Sequence, residues 1–362
     1  MGSYSLISAD SHINEPPDTF VERVPASLRD RAPHVERIDD GDVWIFETGA
    51  PRAIGLDSMA GRKFQDYKRS GHSYEEMRAG AYDPRARVED MDQDGVDAEV
   101  IYPGTGFRLA SMEDPELRLA CMRAYNDWLA EFCAEAPGRF VGLGLVPVQD
   151  VDAAAAEIER IAGLGLRGVV LPALPALQYS DTFYEPLWAA AEEQQFPISF
   201  HIGGLRGRTM TGDPGAVLSY MAMGKLALAE PVSMLIFGGV LERHPGLRMV
   251  LVEGGFGWLP YFITQMDATF VRHQYWSGAK LAEAPSFYFR RQVQATFIED
   301  RAGMAVIDLI GAGNIMWSSD YPHSDTTWPN SRQSVADQFQ GVADDDRRKI
   351  VAGNAAALYG LG

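Results

Sequence analysis

The chain has 362 residues, of which 46% are hydrophobic, enough for a large core at the size of a single α/β barrel. Its 50 acidic residues against 32 basic ones give a net charge of -18. That balance excludes nucleic-acid backbone binding, which needs a basic stripe, and fits a soluble, unattached protein.

The N-terminus lacks a basic region followed by a long apolar core, so no signal peptide is read. The first short apolar run, Leu6–Asp10, reads as a strand and ends in Asp10-Ser-His12. Strand side chains alternate with period two, so Asp10 and His12 share a face. Carboxylate plus neutral imidazole is a common ligand pair for a divalent metal. Read otherwise, the Asp bonds backbone amides and the His packs in a polar pocket. Glu15 adds an oxygen ligand if the chain turns at Asn14, or else serves as a helix-start carboxylate.

A long Pro- and Arg-rich insertion, 13–95, follows, with a candidate strand pair around Val43–Phe46 and Arg52–Leu56. Further strands are read at Ala98–Pro103, Phe140–Pro147, Gly168–Pro172, Ile198–His201, Met249–Glu253, Val293–Phe297 and Ile315–Asp320, making eight in all. Stretches with apolar residues at i, i+3, i+4 spacing separate many of them: Glu116–Glu135, Asp152–Leu164 and Glu185–Gln195. Cys121 and Cys133 fall in the first of these and read as free thiols, with no oxidising compartment implied. Alternating β and α units call for a parallel sheet covered by helices. Eight units predict a (β/α)8 TIM-like barrel, although a large doubly wound sheet gives a similar string. The whole chain, 1–362, is read as a single metal-dependent barrel domain. Its long loops 203–245 and 254–290 would lie over the C-terminal mouth, where barrel enzymes keep lids and specificity elements. No apolar stretch is read as reaching the roughly 18 residues needed to span a bilayer. The expected location is the cytoplasm.

Several further residues fall where chemistry is expected. His201 closes Phe196-Pro-Ile-Ser-Phe-His201 and precedes two glycines that permit a tight turn and close backbone approach. Glu253 ends Arg248-Met-Val-Leu-Val-Glu253; a carboxylate there costs free energy unless it is bonded or functional. Asp320 follows the last strand and would meet the first when the barrel closes. There it would share a metal with Asp10 and His12 or take a proton from a bound water. His323 and Asp325 lie just beyond, able to orient Asp320 or contact substrate. Arg206 and Arg208 would bind a substrate carboxylate, or else form a solvated loop pair. Trp258 and Tyr102 are further candidates for substrate contact.

Together these residues resemble the amidohydrolase-related family that includes aminocarboxymuconate-semialdehyde decarboxylase and the γ-resorcylate and o-pyrocatechuate decarboxylases. The likeness runs through Asp10-Ser-His12, Asp92–Pro103, Phe140–Pro147, Ser199–Gly204, Phe237–Pro260 and Trp317–Pro329, with Ser319-Asp-Tyr-Pro-His-Ser-Asp-Thr-Thr-Trp-Pro329 the most specific piece. The resemblance implies a (β/α)8 barrel with one divalent metal, often zinc, at the C-terminal mouth. In that family the first strand supplies ligands as His-x-His, or fewer through Glu-x-Ala, the fifth a His and the eighth an Asp. Carried over, these fall on Asp10, His12, His201 and Asp320. The chain departs from the pattern twice. Asp10 stands where the semialdehyde decarboxylase has a His, which hardens the site and admits manganese or magnesium beside zinc. Glu253-Gly-Gly stands where the decarboxylases carry His-Gly-Gly, the His being a proton donor.

The function expected from the sequence is metal-dependent hydrolysis of a small carboxylated, cyclic or aromatic substrate. In that scheme metal-bound water attacks a polarised carbonyl, and Asp320 and Glu253 move protons. The alternative is nonoxidative decarboxylation of an aromatic or unsaturated acid, for which Glu253 obliges the site to recruit a different acid. A third reading, a barrel that binds ligand without turnover, would suit the loss of a ligand, and none of the four positions is apolar. The expected partners are a small-molecule substrate and, by resemblance, further copies of the chain as a dimer or tetramer, with no nucleic acid or membrane.

Overall fold

The computed structural model describes residues 4–39, 41–203 and 213–361. In chain order the strands are β1 (Ile7–His12), β2 (His34–Ile38), β3 (Gly41–Ile45), β4 (Arg52–Ala53), β5 (Ala98–Tyr102), β6 (Phe140–Gly142), β7 (Gly144–Leu145), β8 (Val169–Pro172), β9 (Ile198–His201), β10 (Met249–Val252), β11 (Val293–Phe297) and β12 (Ile315–Trp317). β1, β5 and β6 form one parallel sheet, and β7 through β12 form another in sequential order. Only Leu143 separates β6 from β7, so a single extended run, 140–145, belongs to both. At the other seam the chain beyond β12 runs along β1: the Asp320 amide donates to the Asp10 carbonyl at 3.0 Å and the His12 amide to the Tyr321 carbonyl at 2.6 Å. The eight strands read from the sequence are all present, and they make the (β/α)8 barrel.

Local chemistry explains the alternation. Met249-Val-Leu-Val252 and Val169-Val-Leu171 are β-branched or apolar throughout and buried, as expected of parallel strands covered on both faces. The helix Pro115–Ala134 begins with Asp114 accepting from the amides of Glu116 and Leu117 and carries Pro at its first turn, a start that satisfies two orphan donors. It buries Leu117, Cys121, Tyr125, Leu129 and Phe132 at helical spacing. Its two cysteines are free thiols.

The insertion after β1 holds the antiparallel sheet β2–β3–β4. Two of its strands were expected, while β2 is polar and half-exposed and leaves no apolar alternation to read. The insertion docks onto the barrel seam: the amides of Met59 and Ala60 donate to the Pro322 carbonyl at 2.8 and 3.0 Å. The second long loop contradicts the sequence reading in one respect. Pro214–Phe237 is a helical run of 24 residues that is long and apolar enough to cross a membrane by length and composition. Its mean hydropathy arises because its second half packs inward, where Leu228, Val232, Leu235 and Ile236 are buried.

Beneath the mouth, the β1–β12 seam is polar. Arg87 is fully buried; its guanidinium donates to Glu99 at 2.6 Å and to the carbonyls of His12 and Gly80, each at 3.0 Å, and lies 4.1 Å from the Tyr321 ring centre. Ser8, Ser11 and Ser319 exchange hydroxyl bonds across the seam. A buried network with its groups satisfied fixes one geometry, and here it holds the two ends of the chain in register.

Candidate metal centre at the barrel mouth

His12 and His201 project from β1 and β9, and their Nε2 atoms are 3.0 Å apart. His12 Nδ1 faces the Pro103 carbonyl at 2.9 Å, and His201 Nδ1 faces the Ile202 carbonyl at 2.6 Å. A carbonyl can only accept, so in the neutral rings both protons sit on Nδ1 and both Nε2 lone pairs point at one spot. Around it, Asp10 Oδ1 lies 3.4 Å from His12 Nε2 and 3.7 Å from His201 Nε2, Asp320 Oδ1 lies 3.4 Å from His12, and Glu253 Oε2 lies 3.4 Å from His201. All four carboxylate oxygens of Asp10 and Asp320 are buried without a hydrogen-bond partner among the described residues. Buried, unpartnered carboxylates are costly. Two imidazoles and a set of carboxylates, with ligand atoms of Asp10, His12, His201 and Glu253 all within 4.8 Å of one another, fit a divalent cation.

Two of these residues occupy backbone conformations that side chains rarely adopt: Glu253 has φ 64° and Asp320 φ 54°. Left-handed backbone at non-glycine residues costs on the order of 1–3 kcal/mol and clusters at functional sites. The turns after β10 and β12 therefore re-aim both carboxylates into the mouth. Gly254 permits the next step, because a Cβ there would lie 2.5 Å from Leu228 Cδ1. The segment carrying Leu228 can thus press close, bringing Lys225 Nζ to 2.8 Å from Glu253 Oε1 and 3.1 Å from Asp325 Oδ2.

The electrostatics follow from this crowding. Burial pushes Asp320 up, and Glu253, Asp10 and Asp325 push the same way, holding its carboxyl well above the ordinary range. Burial also works against an ionised Asp10, but the imidazoles of His12 and His201 outweigh it and hold the group below the ordinary value. Burial and the neighbouring His323 lower His12 to about 4. For His201 burial opposes charge, yet Asp10 and Glu253 prevail and raise it to about 9. His323 stacks on His12 with ring centres 3.8 Å apart, and its Nδ1 is 3.2 Å from Asp320 Oδ1.

The structure thus brings together Asp10, His12, His201, Glu253, Asp320 and His323. Other candidates are placed differently. Glu15 is not among the cluster: its carboxylate accepts from the amides of Gly104, Thr105 and Gly106 at 3.2, 2.8 and 2.9 Å, which consumes its oxygens as an anchor for the turn after β5. Tyr102 offers no surface to a substrate, being fully buried with its hydroxyl 3.0 Å from Ser199 Oγ; it supports the histidines from below, 5.9 Å from His12 and 5.6 Å from His201. Trp258 is half-buried beside the site, its indole N–H donating to the Gly254 carbonyl at 3.1 Å. Arg206 and Arg208 lie outside the described residues. Sequence reasoning missed Lys225, and it missed Asp57, a carboxylate of the insertion that Arg52 bonds at 2.7 Å. Burial opposes ionisation of Asp57, but Arg52 and then His323 hold it below the ordinary range.

A family model described as Amidohydrolase matches residues 9–361. The chain belongs to this amidohydrolase family. Among curated relatives, the γ-resorcylate decarboxylase of Rhodococcus jostii is 26% identical over 319 residues, covering 80% of this chain and 92% of its own. The 2-amino-3-carboxymuconate-6-semialdehyde decarboxylase of Dictyostelium discoideum is 22% identical over 297 residues, covering 80% of each. Among solved structures, a 5-carboxyvanillate decarboxylase from Sphingomonas paucimobilis superposes with a TM-score of 0.74 at 24% identity, over 99% of this chain and 100% of that one. A dihydroxybenzoic acid decarboxylase from Polaromonas, with bound manganese and 2-nitroresorcinol, gives 0.66 at 21% identity, over 99% and 97%. The amidohydrolase barrel and its likeness to the decarboxylase branch, both expected from the sequence, stand.

Proposed function

We propose that this amidohydrolase-family enzyme is a metal-dependent carboxy-lyase that releases CO2, without oxidation, from an aromatic or unsaturated acid. The observation carrying this reading is the set of unpartnered carboxylate oxygens facing two imidazole lone pairs at the barrel mouth. The relatives then favour decarboxylation over the hydrolysis that the sequence suggested, since both curated relatives named above are decarboxylases. Asp10, His12 and His201 would hold the ion, with Asp320 facing them from the chain beyond β12. Manganese is favoured over zinc, because the carboxylate-rich donor set is hard and a similar structure holds manganese. A divalent ion supplies a Lewis acid that draws charge from a substrate carboxylate and a neighbouring hydroxyl.

The rest is the work of the chain. Loss of CO2 leaves an electron pair on carbon, and a proton must replace the carboxyl group. Glu253 stands where the decarboxylases it resembles carry a histidine, and it is committed at one oxygen to Lys225 and turned at the other to His201. Asp320 is the carboxyl group placed to pass the proton, since it faces the ion site and lies 3.2 Å from His323 Nδ1. His323 is partly open to solvent, with 20% of its side chain exposed, and sits between Asp320 and the outside, where it can renew that proton.

The test is CO2 release from a panel of hydroxybenzoates by manganese-loaded protein, with amides and lactones assayed alongside. Release of CO2 that a chelator abolishes supports the reading. Cleavage of amides or lactones with no CO2 from any acid restores hydrolysis.

A further inference from the structure

A cavity of about 380 Å3 opens beside the centre, within the range of about 300 to 1,000 Å3 usual for small-molecule sites. Phe107 joins the two: it lines the cavity, and its ring centre is 4.9 Å from that of His201 and 5.9 Å from that of His12. Pro172, also in the lining, ends β8 directly beside His201 of β9 in the strand register. The cavity therefore adjoins the barrel mouth, with the Phe107 ring shared between them.

Its chemistry is one-sided. Among the described residues, no carboxylate, lysine, arginine or histidine lines it. Its polar side chains are already engaged: Ser111 Oγ donates to the Arg108 carbonyl at 2.7 Å, Gln149 Nε2 to the Ala110 carbonyl at 2.6 Å, and the Tyr184 hydroxyl to the Leu177 carbonyl at 3.3 Å. Leu177 and Phe183 stand on its rim 47% and 36% exposed, although large apolar side chains gain free energy by leaving water. A charged group entering here would give up part of its water and meet no opposite charge among the described residues. An apolar one would cover Leu177, Phe183 and Phe107.

We propose that this cavity is the specificity pocket of the centre and takes the uncharged, apolar body of an acid whose carboxylate lies at the histidines. The substrate class is then a monoacid with an alkyl or aryl extension, and diacids extended on that side are rejected. The inference rests on the centre binding a carboxylate, as in the function proposed above.

The experiment measures binding of 2-hydroxybenzoate and its unbranched alkyl derivatives to the manganese-loaded protein by calorimetry, with CO2 release assayed separately. The expected result is an affinity that rises about fourfold per added methylene until the cavity is filled. Leu177→Glu places a charge on the rim and should flatten that slope. Leu309→Glu, at a residue 62% exposed and outside the cavity lining, should leave the slope intact. The readout is the slope across the series, with melting temperature and metal content confirming that each variant is folded. A flat or falling slope in the unmodified protein, or an unchanged one in Leu177→Glu, overturns the pocket. A rising slope without CO2 release upholds the pocket and removes the decarboxylase reading. CO2 release with a flat slope does the reverse.

Discussion

The Nε2 atoms of His12 and His201 face each other at 3.0 Å, each fixed by a backbone carbonyl on the opposite side of its ring. Two lone pairs can share that space only with a cation between them, and a proton is the smallest one. His201, raised to about 9, carries it when no metal is present. A divalent ion must displace that proton. Because the folded-state value lies above neutrality, the competing proton is present below about pH 9 and fades above it. Metal affinity should therefore rise with pH through neutrality. Titration calorimetry in buffers of different ionisation enthalpy should show close to one proton released per ion at pH 7. No proton release would show that His201 is neutral before the metal arrives.

Asp320→Asn should separate function from stability. Asp320 is buried among Glu253, Asp10 and Asp325 without a hydrogen bond from the described residues. Replacing it with an amide should raise the stability of the chelated protein by about 1–3 kcal/mol while CO2 release falls by orders of magnitude. Thermal melts of both proteins in chelator check the first half of this expectation.

Glu15→Gln should leave metal content unchanged, since Glu15 binds three amides and no part of the cluster. It should still destabilise the fold by about 1–3 kcal/mol, because an amide cannot accept from all three N–H groups as the carboxylate does. Loss of metal in this variant would return Glu15 to the ligand set.

Lys225→Met removes the cation that faces Glu253 and Asp325. Glu253 would then remain buried without its partner, at a cost of about 1–2 kcal/mol once the 32% exposure of the lysine is allowed for. The double variant Lys225→Met/Glu253→Met should recover most of that loss. Chemical denaturation of the three variants measures the coupling.

Asp94 provides a pH signature away from the centre. Burial is the main cause that raises it to about 6, against the amide and hydroxyl of Ser331 that favour its charge. A carboxyl raised in the folded state costs nothing below its unfolded value near 4. The penalty grows between about pH 4 and 6 and is complete above that. Asp94→Asn should therefore be more stable than the parent above pH 6, by up to about 2 kcal/mol, and lose that advantage near pH 4. Melting temperatures across this window decide the point.

The strands were legible because burial on both faces demands continuous apolar runs, as in Met249–Val252, and turn residues mark where each run stops. Asp10, His12, His201, Glu253 and Asp320 were legible for the complementary reason, that polar groups ending such runs need a function or a partner. Lys225 was not, because it reaches Glu253 from a segment 28 residues upstream, and an ion pair between separate elements leaves no periodicity. Glu15 shows the opposite failure. Its spacing from His12 suits chelation, but the amides that occupy it come from the turn after β5, about 90 residues on. Tyr102 was misplaced for a similar reason: its hydroxyl meets Ser199, a neighbour only once the barrel is closed.

The most direct measurement is the fate of the reacting carbon in D2O. Manganese-loaded protein would be given hydroxybenzoates labelled at the carboxyl carbon and followed by NMR. The expected result is labelled CO2 together with one deuteron on the ring carbon that bore the carboxyl group, both absent after chelation and in Asp320→Asn. Retention of the label in every acid, with cleavage of amide or lactone substrates by the same preparation, would contradict decarboxylation and make the centre a hydrolase.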